Sequence, residues 1–296
     1  MSNSKLLVFM MTFNNGSTLQ ATLDDLASQT FSDFELFIFD DCSSDNTRDI
    51  LSANECRFEN VKIVFNTNNL GVLKNLRNSL RDIEFQISKS KFFHWGCPDD
   101  RYGPNYFERL IDVLESDTEI SAVQSLVKVH FVADSTEKIA KCSSLAMNDD
   151  SSVLFRDYLN GVYQPYNQFI HGISRSKIVP MIYQINGPYW LYKAVVMNEL
   201  FIVALFKLMG KLAVVDQVIH TKNITESFEK RYPTDPFTIS RSSLLKAFLN
   251  CLMLSLYVKE NFIFIFRKQF YISLISSFRL YFVSKLKSKI GRAFCK

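Results

Sequence analysis

Phe34-Glu35-Leu36-Phe37-Ile38-Phe39-Asp40-Asp41-Cys42-Ser43-Ser44-Asp45 is the stretch on which the fold turns. Phe34–Phe39 is apolar enough to be a buried strand, and the chain then switches abruptly to acids, a cysteine and serines. A helix follows at once, starting near Asp45 or Asn46 and running to about Ser52, because short polar side chains cap helix N-termini. A strand that ends in carboxylates and passes straight into a helix is part of a strand–helix–strand unit. In sheets built from such units, ligands bind at the C-terminal ends of the strands.

The same grammar extends in both directions. Upstream, Leu6–Met11 reads as a buried strand, Asn15-Gly16 as a turn, and Ser17 with Gln20 as a capping box. The helix that follows carries Leu19, Leu23 and Leu26 on one face. Downstream come a strand at Val61–Phe65, a mostly helical stretch Gly71–Ile83, and a strand Phe92–Trp95 that ends in Cys97-Pro98-Asp99-Asp100. Pro104 suits the first turn of a helix whose apolar face is Tyr106, Phe107, Leu110, Ile111 and Leu114, and Ser121–Val132 reads as a strand. The expectation is an α/β fold with a doubly wound, mostly parallel sheet flanked by helices. Residues 133–188 show no clear period around His171-Gly172-Ile173. A helix over Tyr189–Met209, closed by Gly210, a strand Leu212–Val215 and a polar segment to Pro236 complete the pattern.

Composition divides the chain in two. Pro236 to Lys296 holds eleven Lys or Arg against one acid, Glu260, so this tail carries +10 and the preceding 235 residues −6. We therefore divide the chain into a main domain, 1–235, and a helical, basic, aromatic-rich region, 236–296. Its basic residues are interleaved with apolar ones, which fits an anionic membrane surface better than nucleic acid. The alternative is a helical layer packed on the core or on a second copy. Charges interrupt every apolar run before the roughly 20 residues that a spanning helix needs. No signal-peptide pattern opens the sequence, and six cysteines without Cys-x-x-Cys spacing read as reduced thiols. The expected location is the cytoplasm, peripheral on the inner face of the membrane.

Two carboxylate pairs, Asp40-Asp41 and Asp99-Asp100, fall at predicted strand ends. Such pairs accept N–H groups of a base, or hold Mg²⁺ or Mn²⁺ against a phosphate. A solvated turn with helix capping is the plain alternative for either pair taken alone. His171 and His220 are candidates for acceptor or phosphate contacts or for a structural role, whereas His94, inside a strand, reads as packing.

Met11-Thr12-Phe13-Asn14, Gln29-Thr30-Phe31-Ser32-Asp33-Phe34-Glu35-Leu36, Asp40–Thr47, Asn69-Leu70-Gly71-Val72 and Pro98-Asp99-Asp100…Pro104–Glu108 resemble, in order and spacing, the family 2 glycosyltransferases of GT-A fold. The resemblance implies an inverting transferase that takes a sugar from a nucleoside diphosphate donor, usually a UDP-sugar, to a glycan or lipid-linked hydroxyl. It implies that Phe13, with Thr12 and Asn14 beside it, meets the nucleotide base, and that Asp41 reads that base. Plain core packing is the alternative for Phe13. Lys74 or Arg77 would approach the phosphates, and Asp99 and Asp100 would bind a divalent metal, Mn²⁺ or Mg²⁺. Glu199, where the family usually has Asp, falls at the general base, with Asp216 as the second candidate. Cys97 stands where the family often has the first acid of Asp-x-Asp-Asp, and a hard cation gains little from a thiol. With Glu199, that departure keeps open a non-catalytic member that binds a nucleotide-sugar or a partner. A nucleotidyltransferase on a related sheet is disfavoured, because Asn14-Asn15-Gly16 is no glycine-rich phosphate loop.

Overall fold

The computed structural model describes residues 4–140, 168–183, 202–203, 205–206 and 209–224. Strand β1 (Leu6–Thr12) lies between β2 (Phe34–Asp40) and β4 (Phe92–Gly96), and β3 (Val61–Phe65) pairs with the outer side of β2, all parallel. Leu6 to Met10 are all buried, as a central parallel strand requires of both its faces. Alternate side chains go to opposite faces. Leu7 and Phe9 join Phe37, Phe39 and Phe93 in one core cluster, while Leu6, Val8 and Met10 join Leu36, Ile38 and Phe92 in the other.

Helices cover both faces. On one side α1 (Leu19–Ala27) buries Leu19, Leu23 and Leu26, α2 (Thr47–Asn54) buries Leu51, and α5 (Tyr106–Ser116) buries the five residues expected of it. On the other, α3 (Val72–Asp82) and α4 (Glu84–Lys89) present Leu76, Leu80 and Ile87. Each fully buried Leu or Ile is worth about 2 kcal/mol of transfer free energy, so both layers hold the sheet strongly.

The far half of the sheet is mixed. Beyond β4 come β8 (Ile173–Arg175), β6 (Ile120–Phe131), β9 (Lys211–Ile224) and the two-residue β5 (Arg101–Tyr102), with β7 (Thr136–Ala140) a hairpin partner of β6. Strands β6 and β9 are parallel, and the pairings of β8, β5 and β7 are antiparallel. Most paired residues belong to parallel ladders, as the alternating pattern implies.

Three local expectations need correction. The Ser17–Gln20 capping box does not form; Thr18 occupies the N-cap of α1 without a side-chain cap bond. The strand expected over Leu212–Val215 extends to Ile224 instead of giving way to a polar segment. Its register against β6 slips between Ser125 and Val127, so Asp216 and Gln217 bulge outwards, exposed, before pairing resumes. Polar residues at a bulge mimic a loop in the sequence. Strands β7 and β8 lie in the stretch that showed no period. The tail 236–296, Glu199 and most of the helix expected over Tyr189–Met209 lie outside the described residues, though Ile202, Val203, Leu205 and Phe206 are helical and buried.

Candidate functional site

The C-terminal ends of β1, β2 and β4 are neighbours, because Thr12 pairs with Asp40 and Met10 with Gly96. That register brings Thr12–Asn14, Asp40–Asp45 and Cys97–Asp100 to one edge of the sheet. Phe13 is 48% exposed there, which rules out plain core packing for its ring. Asn14 adopts φ 53° just beyond it, and its Oδ1 accepts the Ser44 N–H at 2.9 Å while its own N–H donates to Ser43 Oγ. Thr12 is buried, its hydroxyl 3.3 Å from Asp40 Oδ1.

The two carboxylates of the first pair do different work. Asp40 is wholly buried and anchors the turn, accepting from Ser43 N–H and Oγ and from Arg48 Nε at 2.7 Å. Asp41 binds the next loop: it accepts the N–H groups of Leu70 (2.8 Å) and Gly71 (2.9 Å) and Asn66 Nδ2 (3.1 Å). Those bonds tie the start of α3 to the end of β2. Lys74 lies exposed in the first turn of α3, and Arg77 follows one turn later, half-buried.

The loop after β4 is held from three sides. Thr22 Oγ1 of α1 lies 2.8 Å from Asp100 O, Arg101 forms a bidentate pair with Asp25, and Gln29 Nε2 donates to Gly103 O at 2.8 Å. Asn223 Nδ2 of β9 donates to Asp99 O. Asp99 is half-buried, and burial, then the adjacent Asp100 charge, push its carboxyl up to about 6. Asp100 is 1% exposed. Burial would raise its carboxyl, but the charge and hydrogen bond of His220, with His171 and Lys222, hold it below the usual carboxylate value.

Asp100 Oδ2 is 2.8 Å from His220 Nε2, and His220 Nδ1 is 3.3 Å from Gln124 Nε2. Tyr102 stacks on that imidazole at 5.2 Å. His171 Nδ1 is 3.2 Å from Cys97 Sγ, and its Nε2 accepts from Lys222 Nζ at 3.0 Å. Enclosure, then the Lys222 charge, keep His171 well below the ordinary histidine value. Gly172 beside it allows close approach: a Cβ there would lie 2.1 Å from Val123 O. His94 is buried among Tyr102, Tyr106 and Phe107 and donates from Nδ1 to Gly172 O, in keeping with a packing role.

Both candidate histidines thus converge on the second carboxylate pair, and Lys222, Gln124, Tyr102 and Asn223 join them unannounced by any motif. The bulged strand β9, paired through His220 with Tyr102, brings His220, Lys222 and Asn223 there. Asp216 is not brought to this edge; it is exposed and lines a pocket with Arg109, Asp112, Val113 and Ser116 of α5. A divalent cation fits the donors that are present. Asp100 Oδ1 is buried and has no hydrogen-bond partner among the described residues, and an orphaned carboxylate oxygen is one that a cation would satisfy. Cys97, Asp100 and His171 each offer a ligand atom, all within 4.8 Å of one another.

The glycosyl transferase family 2 pattern matches residues 7–139. An uncharacterized glycosyltransferase of Haemophilus influenzae is 25% identical over 130 residues, covering 44% of this chain but only 39% of that protein's length. Among solved structures, residues 1–349 of TarS from S. aureus, in complex with UDP, align over 88% of this chain and 72% of their own with a TM-score of 0.55 at 17% identity. A mannosyltransferase from Pyrobaculum calidifontis, in complex with GDP-Man and Mn²⁺, aligns over 98% of this chain and 80% of its own with a TM-score of 0.55 at 11% identity. At those identities the structural likeness establishes the GT-A fold.

Proposed function

Residues 7–139 match the glycosyl transferase family 2 pattern, and from that match we propose that the protein transfers a sugar from a nucleoside diphosphate donor to a hydroxyl acceptor. The observation that carries this reading is the meeting, at one sheet edge, of exposed Phe13, buried Asp41 and the Asp99–Asp100 pair. An exposed aromatic offers a stacking face to a base, and a fixed carboxylate offers an acceptor to the base's N–H. The donor is a UDP-sugar and the acceptor a glycan or lipid-linked hydroxyl, in surface polysaccharide synthesis.

In this reading Phe13, with Thr12 and Asn14 behind it, stacks on the base, and Asp41 accepts its N–H. Lys74 and Arg77 draw the diphosphate towards the start of α3. Asp99 and Asp100 hold a divalent metal, Mn²⁺ or Mg²⁺, which supplies positive charge for the departing diphosphate. His220 keeps Asp100 ionised and oriented. Glu199 takes the proton of the acceptor hydroxyl as it attacks the anomeric carbon with inversion. The basic segment 236–296 lays the protein on the inner membrane surface, near lipid-linked acceptors. No helix of the described residues is long and apolar enough to cross a membrane.

The first test is calorimetric titration of the full chain with UDP, GDP and dTDP, each with and without Mn²⁺. Metal-dependent binding of one nucleotide, lost in Asp99→Ala, supports the donor site and names its base. Absence of binding to all three removes the donor reading. Folded Asp99→Ala and Asp100→Ala variants that transferred sugar at the wild-type rate would overturn the metal assignment.

A further inference from the structure

The geometry points to a divalent-cation site made by Cys97 Sγ, His171 Nδ1 and Asp100 Oδ1, which takes a borderline ion of the Zn²⁺ or Co²⁺ kind in preference to Mn²⁺ or Mg²⁺. This rests on the reading above only in that the ion serves the same sheet edge, and on this donor set an ion of the zinc class takes the place there of Mn²⁺ or Mg²⁺.

Three observations carry it. The first is proximity: one donor atom from each of the three side chains lies within 4.8 Å of the other two, and Sγ and Nδ1 are 3.2 Å apart. Zinc bound to sulfur at about 2.3 Å and nitrogen at about 2.0 Å needs ligand atoms some 3.5 Å apart, so a closure of about 1 Å completes the set. The second is the orphaned oxygen. Asp100 is 1% exposed and spends Oδ2 on His220, yet Oδ1 has no hydrogen-bond partner among the described residues. His220 thereby does what a partner of a ligating carboxylate does: it fixes the orientation of the free oxygen. The third is donor chemistry. Magnesium asks for oxygen donors in a near-octahedral shell, whereas thiolate, imidazole and carboxylate together suit zinc and cobalt. Three protein ligands also leave a position for an oxygen of the substrate.

The ligands must lose protons to bind. The Cys97 thiol proton goes to solvent, and His171 places its one remaining ring proton on Nε2, so Nδ1 presents its lone pair to the ion. Lys222, which now donates to Nε2, then has to turn away, leaving an ammonium beside the ion for an anionic ligand.

The test uses the full chain stripped by a chelator and titrated with Co²⁺. Binding of one equivalent, with the intense visible absorption of low-coordinate cobalt and a near-ultraviolet thiolate-to-cobalt band, is expected. Zn²⁺ should displace cobalt at lower concentration than Mn²⁺. Cys97→Ser should abolish the thiolate band. Cys97→Asp, which hardens the donor set, should lower the Zn²⁺-over-Mn²⁺ preference on the order of tenfold or more, since even outer-shell changes move metal affinity that far. Circular dichroism establishes that both variants fold. The inference is overturned if cobalt does not bind, if it binds without a thiolate band, or if that band survives Cys97→Ser. Titration of the same samples with UDP and GDP separates the two readings. A thiolate-bound cobalt without nucleotide binding leaves the site and removes the donor reading, and Mn²⁺-dependent nucleotide binding without the band does the reverse.

Discussion

His220 Nε2 lies 2.8 Å from Asp100 Oδ2, although the two residues are 120 positions apart in sequence, and both are buried. The surrounding bonds make Nε2 the donor. His220 Nδ1 faces the Gln124 amide nitrogen, while Gln124 Oε1 accepts from the Tyr106 hydroxyl at 2.9 Å and from Ser125 N–H at 2.8 Å. Both ring nitrogens of His220 therefore have a matched partner, and one orientation of the carboxylate is selected.

Removing the imidazole should be costly, because it leaves a buried carboxylate without its donor. We expect His220→Ala to lower unfolding stability by about 3 kcal/mol in urea denaturation, the upper end of the cost of leaving a buried acceptor without its donor. His220→Gln, which keeps an N–H donor, should lose clearly less. Equal losses in the two variants would mean that the ring's packing against Tyr102, not its hydrogen bond, matters.

Phe13 should behave in the opposite way. Its ring is exposed, so Phe13→Ala should leave the unfolding midpoint within error of wild type. Stacking of a base on an aromatic ring is worth about 1–3 kcal/mol by alanine substitution, so nucleotide affinity should fall about tenfold or more. Calorimetry and thermal unfolding on the same preparation check both halves. A stability loss with unchanged affinity would return Phe13 to a packing role.

How far the sequence carried depends on range. The strand ends at Thr12, Asp40 and Gly96 were legible because each is a local change from apolar residues to a loop, and the parallel register then follows from the strand–helix repeat. The partners of Asp100 were not legible. His220 and Lys222 reach it only because β9 bulges at Asp216 and Gln217, skips Ile219 and resumes its pairing three residues out of step, and Gln124 meets them from β6. A bulge leaves polar residues in the middle of a strand, which the eye reads as the strand's end. In the sequence Cys97 reads as a gap in an acidic motif, because its neighbour His171 sits in a stretch with no period at all.

Cys42 illustrates a local cost that the sequence hid. It holds φ 63° between Asp41 and Ser43, a left-handed conformation that costs a residue with a Cβ about 1–2 kcal/mol. Its Sγ makes only a long contact, 3.5 Å, to Thr67 O. Cys42→Gly should therefore raise stability, offset in part by the entropy that glycine loses on folding, for a net gain of about 1 kcal/mol. A higher unfolding midpoint with unchanged nucleotide binding is the expected result. A loss of stability would mean that the thiol contact outweighs the strain.

His94 should make stability depend on acidity. Burial, opposed by the bond to Gly172 and aided by the His220 charge, lowers its imidazole from 6.5 to about 4. The unfolded chain therefore binds a proton at higher pH than the folded one, and stability must rise with pH wherever that difference exists. The contribution is present in full above the unfolded value, 6.5, and is lost as pH falls towards about 4. A shift of this size corresponds to about 3 kcal/mol. Asp99 opposes it: its carboxyl, raised from 3.8 to about 6, favours folding at the acid end of the same window. Wild-type stability alone would therefore understate the effect, and the useful quantity is the difference between wild type and His94→Gln, which retains Asp99 but cannot titrate at position 94. Urea unfolding at intervals from pH 4 to pH 7 should show that difference moving in the variant's favour by up to about 3 kcal/mol as the solution is acidified. A difference that stayed level across the range would mean that His94 is protonated inside the fold, with its charge met by a group other than Gly172.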